Sequence, residues 1–429
     1  MGEKEVVVIG GGIAGITSIV KLKELGYSPV LISASLGASY MFSGGYDVYS
    51  GVKNEIREPL TLKDQINLLE EMNPYHPYNF VNDIEDGLKN AFSVLNKRLD
   101  LNLTDLETEK RNFIIPTQRG TFKKTALVRK GMEDADLYFM INSNKRFGIL
   151  NFTMFKDFDY NTMLYNLNGI KRKFNSDSDF LIVNFDFLRR SSDVNLNSSE
   201  FAAILEKDEL YKDILEKIYD MAQKNDMDYI ISPPVWGIDK YDEITDYLLN
   251  NKIKILETLG GASSIYGMRL RKKVLSYLNR EKLTILEERV KSVKIQNGYI
   301  KSVITDKGKE IKTSAVIFCG GKFIGGGIDF DGDFKDNLFN LPVFYQGKKV
   351  EFKDSLFEND YFKKHKIFSV GIKINDRFQP LNEDDKPVYK NLFVAGNIIS
   401  GYNYIFREGG MGVAVVSGYM AAKYLSHIV

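Results

Sequence analysis

This chain has 429 residues but only one cysteine and three histidines, and neither sign of charge prevails. A lone Cys319 excludes an internal disulfide, an all-cysteine iron–sulfur site and a CxxC redox pair, and fits a reducing compartment. Basic residues number 58 against 57 acidic, a net of +1, so there is neither a nucleic-acid footprint nor a single-sign tail. The longest apolar stretch, Val6 to Val20, is broken by four glycines and stopped by Lys21, too short and too glycine-rich for a membrane span. The start, "MGEKEVVVIG", reads as a charged lead into a strand rather than a signal peptide. These absences point to a cytoplasmic protein whose only route to a membrane is through a partner. A further absence is local. The strand in "SPVLISAS" ends in Ser33, Ala34 and Ser35, where a dinucleotide-binding fold normally places an Asp or Glu for a ribose.

What is present starts with "EVVVIGGGIAGITSIVKLKELGYSPVLIS", a strand, turn, helix and second strand. Gly10, Gly12 and Gly15 form GxGxxG. The first glycine permits the tight turn, the second a close approach to pyrophosphate, and the third the packing of helix on strand. Ile13 and Ala14 open the helix, whose N-terminal amides and dipole favour phosphate. A strand before the motif and a helix after it are the context that gives GxGxxG weight. Ser33 can offer a ribose one neutral hydroxyl in place of a bidentate carboxylate. The site then holds either FAD with weaker ribose recognition or a flavin without adenosine, FMN. The loop "SLGASYMFSGGYDVYSG", with Ser43 and Gly44, follows a parallel strand and is expected to line the ligand crevice with Ser33, Ala34 and Ser35.

The far end of the chain returns to the same fold. Asn297-Gly298 marks a hairpin in a meander that leads to a buried strand, Ala315 to Phe318. "FCGG" follows, and Gly320-Gly321 resembles the small-residue-Gly-Gly turn of two-dinucleotide-binding-domain flavoproteins. Near the end, Leu392 to Ala395 is a strand followed by Gly396-Asn397. Gly409, Gly410 and Gly412 then precede an apolar helix from Val413 to Leu425. Amides at Gly410, Met411, Gly412 and Val413 are expected to face the flavin edge that gains negative charge on reduction. The fold class expected is α/β, a discontinuous Rossmann-type FAD/NAD(P)-binding domain with a large inserted α/β domain. Its flavin-binding pieces are 1–50, 282–330 and 386–429. Residues 51–281 form the insertion, for substrate or partner, and 331–385 a covering segment. Within the insertion, "DLYFMI", "DFLIVNFDF", "DYIIS" and "KIKILETL" read as strands. "FAAILEKDELYKDILEKIYDMAQKN" and "YGMRLRKKVLSYLNREK" read as helices.

In order along the chain, these motifs resemble the B-subunit family of the anaerobic, quinone-linked glycerol-3-phosphate dehydrogenases. The resemblance is carried by the GGGxAG turn, the hydroxyl residue in place of the acid, and the Ser/Gly-rich loop. It is also carried by His76-Pro77-Tyr78, Gly267-Met268-Arg269-Leu270 and the glycine-rich closing pattern from Asn391 to Leu425. It implies FMN, with FAD as the alternative. It also implies a small phosphorylated polyol substrate, glycerol 3-phosphate, oxidised to dihydroxyacetone phosphate, with electrons passed to quinone. The implied partners are an FAD-bearing subunit and a membrane-bound iron–sulfur subunit, which would hold this chain at the inner face of the cell membrane. The chain departs from the family pattern at Arg407 and Glu408, in "YIFREGG".

Alcohol oxidation needs a base and a hydride acceptor. His76, in a turn, is the histidine placed to serve, since His365 lies in a charged run and His427 at the C-terminus. A substrate phosphate calls for Arg or Lys. Arg269, Arg407, Lys322 and Arg119 are candidates, Arg269 on the strength of the family match. Two other functions stay open: a flavin-binding electron-relay or scaffold subunit without a substrate site, and a stand-alone FAD-dependent oxidoreductase acting on another hydroxy substrate.

Overall fold

The structure is a computed structural model and describes residues 5–35, 37–51, 59–186, 196–250, 254–261, 264–351, 355–406 and 408–428. Val6–Ile9, four consecutive buried apolar residues, forms the middle of a five-stranded sheet. The order is Leu392–Val394, Ala315–Phe318, Val6–Ile9, Val30–Ile32 and Thr284–Leu286, and every pairing is parallel. Such strands are covered on both faces, which is why they read as unbroken apolar runs.

The helices Ile13–Glu24 and Gly410–Leu425 cover one another and the sheet. Small residues let them cross closely. A Cβ placed on Gly418 would stand 2.2 Å from the Ala14 carbonyl oxygen, and Ser18 Oγ donates to the Gly418 carbonyl at 3.0 Å. The closing helix is apolar on almost every side because almost every side is buried. A third helix, Ile84–Leu99, packs against it. That helix lies within 51–281 by sequence, yet it belongs spatially to the first sheet.

A second parallel sheet has the order Asp179–Phe185, Arg146–Phe152, Tyr229–Ser232 and Lys254–Glu257. The strand Arg146–Phe152, which the sequence pattern does not announce, lies inside this sheet. "DLYFMI", expected as a strand, forms the helix Leu137–Asn142 instead. The long helix expected over 201–225 is interrupted at Asp208 and Glu209, whose φ values of 51° and 56° are left-handed, giving Ser198–Glu206 and Leu210–Lys224. The sheet order reverses between Arg146–Phe152 and Tyr229–Ser232, where open α/β sheets usually bind ligands. Here Trp236 fills the space. It is fully buried, its ring centroid lies 6.1 Å from that of Phe152, and its Nε1–H donates to Ser232 Oγ at 2.9 Å.

The meander Val290–Gln296, Tyr299–Thr305 and Glu310–Lys312 is antiparallel. Asn297 and Gly298, at φ 53° and 77°, make its first turn with the primed geometry that twisted hairpins favour. Residues 331–385 carry short two- and three-residue strands.

Candidate functional site: a flavin cradle between two glycine-rich helix starts

The three motif glycines serve different needs. Gly10 has φ +107°, and a side chain there would meet the Cys319 carbonyl oxygen at 2.4 Å. A Cβ on Gly15 would meet the Gly10 carbonyl oxygen at 2.0 Å. Gly12, the helix N-cap, is different: a Cβ there would meet nothing within 4 Å. Its open flank, beside the amides of Ile13 and Ala14, leaves a phosphate free to approach the backbone, as a nucleotide cradle requires. Gly396 closes the other side. Its φ is +81°, a Cβ would stand 2.7 Å from that of Ala14, and its N–H donates to Ser417 Oγ at 2.9 Å.

Ser33 has a different use from the one expected of it. Its hydroxyl accepts the Gly11 N–H at 2.7 Å and donates to the Ser35 carbonyl at 2.5 Å. Its only proton therefore goes to the main chain and braces the glycine turn, not a ribose. Ser39 Oγ likewise accepts the Ile13 N–H at 2.9 Å. Ala34 and Ser35 are exposed at this edge. The neighbouring strand, Thr284–Leu286, is followed by a carboxylate. Glu288 lies two residues beyond Leu286, whose carbonyl accepts the Ser33 N–H at 3.0 Å. Lys307 lies 3.8 Å from one Glu288 oxygen. The other oxygen is buried without a hydrogen-bond partner.

The Ser/Gly loop runs across to the start of the closing helix. Ser43 Oγ accepts Lys123 Nζ at 2.9 Å, and Lys123 also pairs with Asp47 at 2.8 Å. The Asp47 carbonyl accepts the Gly412 N–H at 2.8 Å, and the Val48 carbonyl accepts the Tyr78 hydroxyl at 2.7 Å. Gly409 must be glycine: its φ is +84°, and a Cβ would lie 2.2 Å from the Val48 carbonyl oxygen. Val413 N–H returns to the Gly409 carbonyl, so the amides of Gly410 and Met411 precede the first intrahelical bond and form the positive end of the helix. Gly320 and Gly321 make a tight turn on which Gly325 and Gly327 pack, a Cβ on either meeting a glycine carbonyl oxygen at 2.4 or 2.0 Å. Asn397 Oδ1 accepts the Tyr402 hydroxyl at 3.3 Å.

Of the three described residues expected to be catalytic, His76 and Lys322 both stand against Tyr402, with ring centroids 5.8 Å apart for the first and the ammonium 5.2 Å from the ring centroid for the second, and Arg269 lies elsewhere. His76 is fully buried. Its Nδ1 accepts the Tyr78 N–H at 3.2 Å, so the proton sits on Nε2, 3.1 Å from the Glu408 carbonyl oxygen. Burial pulls its pKa down to about 3. With both nitrogens committed to main chain, it ties its turn to the closing helix and is not the substrate base that its sequence position suggests. Arg269 is also engaged elsewhere. Its guanidinium makes a bidentate pair with Glu257 at 2.8 and 3.0 Å and donates to the Gly237 carbonyl at 2.8 Å, inside the second α/β unit. It is buried and, contrary to expectation, does not present itself to a substrate phosphate. Arg407 lies outside the described residues, and Arg119 is an exposed loop residue.

Lys322 is held beside Tyr402. It follows the Gly320-Gly321 turn and is buried. Its Nζ donates to the Phe368 carbonyl at 2.6 Å and lies 3.5 Å from that of Tyr402. The ammonium stands 5.2 Å from the centroid of the Tyr402 ring. Burial pulls its pKa down to about 7, against an opposing pull from Glu408. Glu408 pairs with Lys364 and accepts the Asn403 N–H at 2.6 Å. Cys319 is a packing residue whose thiol burial pushes up to about 12. Asp47, Tyr266 and Tyr402 lie inside stretches that the sequence marks but are not singled out there, and Lys123 lies in none of them. The density of Tyr, Gly and Asn in "GYNYIFREGG" is the one signal in the sequence for Tyr402.

Residues 263–335 match the family model of glucose inhibited division protein A. Over almost its whole length the chain is similar to proteins described as the B-subunit of anaerobic glycerol-3-phosphate dehydrogenase. It is 25% identical to a probable one from Halobacterium salinarum, with 98% of this chain and 97% of the relative covered. It is 25% identical to that of Histophilus somni, with 97% and 96% covered. For Aliivibrio fischeri the figures are 23%, 98% and 94%. This chain is a relative of these B-subunits. The resemblance read from its motifs therefore extends along nearly the whole chain. Among solved structures, a flavocytochrome c3 fumarate reductase is 9% identical with TM-score 0.43, covering 99% of this chain and 78% of the other. The 3-ketosteroid delta1-dehydrogenase of Sterolibacterium denitrificans is 10% identical with TM-score 0.40, covering 99% of each.

Among the described residues no helix is long and apolar enough to cross a membrane. Nor is there any group of three or more His, Cys, Asp or Glu able to hold a metal.

Proposed function

We propose that this chain is the flavin-bearing B-subunit of an anaerobic glycerol-3-phosphate dehydrogenase. The observation that carries this reading is the open flank of Gly12, at a sheet edge shared with the glycine-rich start of the closing helix. Amides of Gly12 and Ala14 would hold the flavin phosphate, and those of Gly410 and Met411 the pyrimidine edge of the ring. When bound, the flavin supplies the acceptor for the hydride of a secondary alcohol. Lys322 takes the hydroxyl proton at Nζ, since a lysine held near neutrality is populated as free amine at working pH. Tyr402 and Phe368, through their carbonyls, orient that amine. With a single cysteine in the chain, electrons leave through partner subunits, an FAD-bearing chain and an iron–sulfur chain at the inner face of the membrane.

The flavin proposed is FMN. The strand end that usually grips an adenosine ribose carries Ser33, whose hydroxyl is already used, and the amides of Gly11 and Ile13 are held by Ser33 and Ser39. One observation favours FAD instead: the unpartnered, buried oxygen of Glu288 beside this edge. The test is anaerobic addition of glycerol 3-phosphate to the flavin-loaded chain without partners. Bleaching of the flavin is expected. A flavin-loaded protein that does not bleach, while the assembled complex turns over, is an electron-relay subunit.

A further inference from the structure

We propose that Arg269 is a positioning residue for the flavin loop, acting from the second α/β unit through Tyr266 and Gly44. The inference rests on the flavin reading above. It explains why a charged residue with no access to solvent or substrate sits in the helix Ile265–Arg280.

The path is continuous. Glu257 ends the edge strand Lys254–Glu257 of the second sheet. Its two oxygens take the Arg269 guanidinium at 2.8 and 3.0 Å, and one of them accepts the Trp236 N–H at 3.1 Å. The guanidinium carbon lies 3.4 Å from the centroid of Tyr241 and 5.0 Å from that of Tyr266. Tyr266 donates its hydroxyl to the Thr258 carbonyl at 2.9 Å, and its ring lies flat against Gly44. A Cβ on Gly44 would stand 2.9 Å from three ring atoms, and its φ is +103°. Gly44 is the residue after Ser43, whose carbonyl accepts the Gly260 N–H at 2.9 Å. Three residues on, the Asp47 carbonyl holds the Gly412 amide at 2.8 Å. The path from Glu257 to the first turn of the closing helix thus runs through an ion pair, two ring contacts, the main chain from Gly44 to Asp47 and a hydrogen bond.

A guanidinium suits this place because it is planar. It chelates a carboxylate edge-on while offering its faces to two phenol rings. Lysine has the charge without the plane. Its ammonium can meet one Glu257 oxygen but cannot stack on Tyr241 and satisfy the Gly237 carbonyl together. The helix would then settle differently, moving Tyr266 over Gly44 and with it the loop that braces Gly412.

The test compares Arg269→Lys, Tyr266→Phe and Tyr266→Leu with wild type. Asp228→Asn serves as a control, since Asp228 pairs with Lys145 and accepts the Arg146 N–H at the opposite end of the same sheet. Dissociation constants for FMN and FAD, the visible circular dichroism of the bound flavin and the thermal midpoint of the flavin-free protein are measured on each. Arg269→Lys and Tyr266→Leu should each raise the flavin dissociation constant about tenfold or more and change the visible dichroism. A variant carrying both Arg269→Lys and Tyr266→Leu should be no worse than the poorer single one, as for residues that act through one path. Tyr266→Phe keeps the ring on Gly44 and should stay within about threefold of wild type. Asp228→Asn should lower the midpoint without changing the dichroism. If Arg269→Lys folds and binds flavin with wild-type affinity and dichroism, the inference is wrong. It is equally wrong if its loss of affinity merely follows its loss of folded protein, as in Asp228→Asn. A wild-type chain that binds neither flavin would instead overturn the flavin reading itself.

Discussion

His76 Nε2 lies 3.1 Å from the carbonyl oxygen of Glu408, joining a turn near the chain's start to the glycine-rich opening of its last helix. The imidazole is neutral in the folded state because burial takes its pKa from 6.5 to about 3. An unfolded chain would protonate near 6.5, so the unfolded state binds more protons between these values. The stability that His76 contributes is therefore complete above pH 6.5 and lost as pH falls toward 3. His76→Gln should cost on the order of 1–3 kcal/mol at pH 7, since it unseats a buried hydrogen-bonded group, and should flatten the acid limb of stability. Urea midpoints of both proteins at pH 7 and at mildly acid pH check this. Flavin reduction by substrate should keep its pH profile in the variant. A lost kinetic limb would restore His76 as a base.

Lys322 has the same sign in an alkaline window. Burial lowers its pKa from 10.5 to about 7, so the unfolded state holds the extra proton between those values. Its contribution is complete above pH 10.5, falls as pH drops toward 7, and levels off below. Lys322→Met removes the titration. The stability difference, variant minus wild type, should grow in the variant's favour as pH falls through that window. Burial raises the folded-state pKa of Tyr46, Tyr78, Tyr266 and Tyr402, while tyrosines of the unfolded chain titrate at pH ~10, so the difference and not either curve is the quantity to follow. If Lys322 takes the substrate proton, flavin reduction in the variant should slow by about 10²- to 10⁴-fold and lose its dependence on a group near pH 7. Anaerobic stopped-flow reduction across pH 6 to 9 gives the answer. A variant reduced at the wild-type rate would leave Lys322 a structural residue.

Glycines separate sharply by surroundings, which gives a stability prediction. Gly418→Ala places a methyl 2.2 Å from the Ala14 carbonyl oxygen, so the two helices must part. Overpacking at such a crossing costs roughly 1–3 kcal/mol or more. On the proposed reading it should also loosen the flavin, because Ala14 and the closing helix would both line its cradle. Gly169 sits inside the helix Tyr160–Phe174 with nothing within 4 Å of a prospective Cβ. Gly169→Ala should stabilise by about 0.5–1 kcal/mol through helix propensity. Denaturant melts of the two variants test both signs in one experiment.

The local features of the first fold are legible in the sequence because each is encoded within a few residues. Gly10, Gly12 and Gly15 need their backbone geometry wherever the chain goes, and Asn297-Gly298 makes its turn unaided. The second sheet is harder to read. Gly148 interrupts "RFGILNF" and blurs an inner strand that only pairing on both edges makes evident. "DLYFMI" has the aromatics of a strand and forms a short helix after Asp136, whose carboxylate also takes the Ile114 N–H at 2.7 Å from another segment. Asp208 and Glu209 end a helix in a left-handed step that nothing in their periodicity announces. Arg269 carries a family signature that points to importance, but its partner Glu257 is set by folding. An exposed phosphate ligand and a buried positioning group look alike until that pairing is seen.

The missing ribose acid leads to the last prediction. Ser33 and Glu288 follow the ends of two adjacent strands, Val30–Ile32 and Thr284–Leu286, and only Glu288 has a buried oxygen without a partner. An adenosine diol would offer that oxygen two donors, an interaction of about 1.5–3 kcal/mol for a charged acceptor, or roughly 10- to 150-fold in affinity. FMN has no second ribose and would offer it nothing. With FMN as the native flavin, the chromophore released by acid has the mass of FMN. Glu288→Gln then leaves FMN affinity unchanged within about twofold, and added FAD binds no better to wild type than to the variant. Should the released chromophore be FAD, and Glu288→Gln weaken it by tenfold or more, the carboxylate that the second strand lacks has been supplied by its neighbour. The site is then built for a dinucleotide in spite of Ser33.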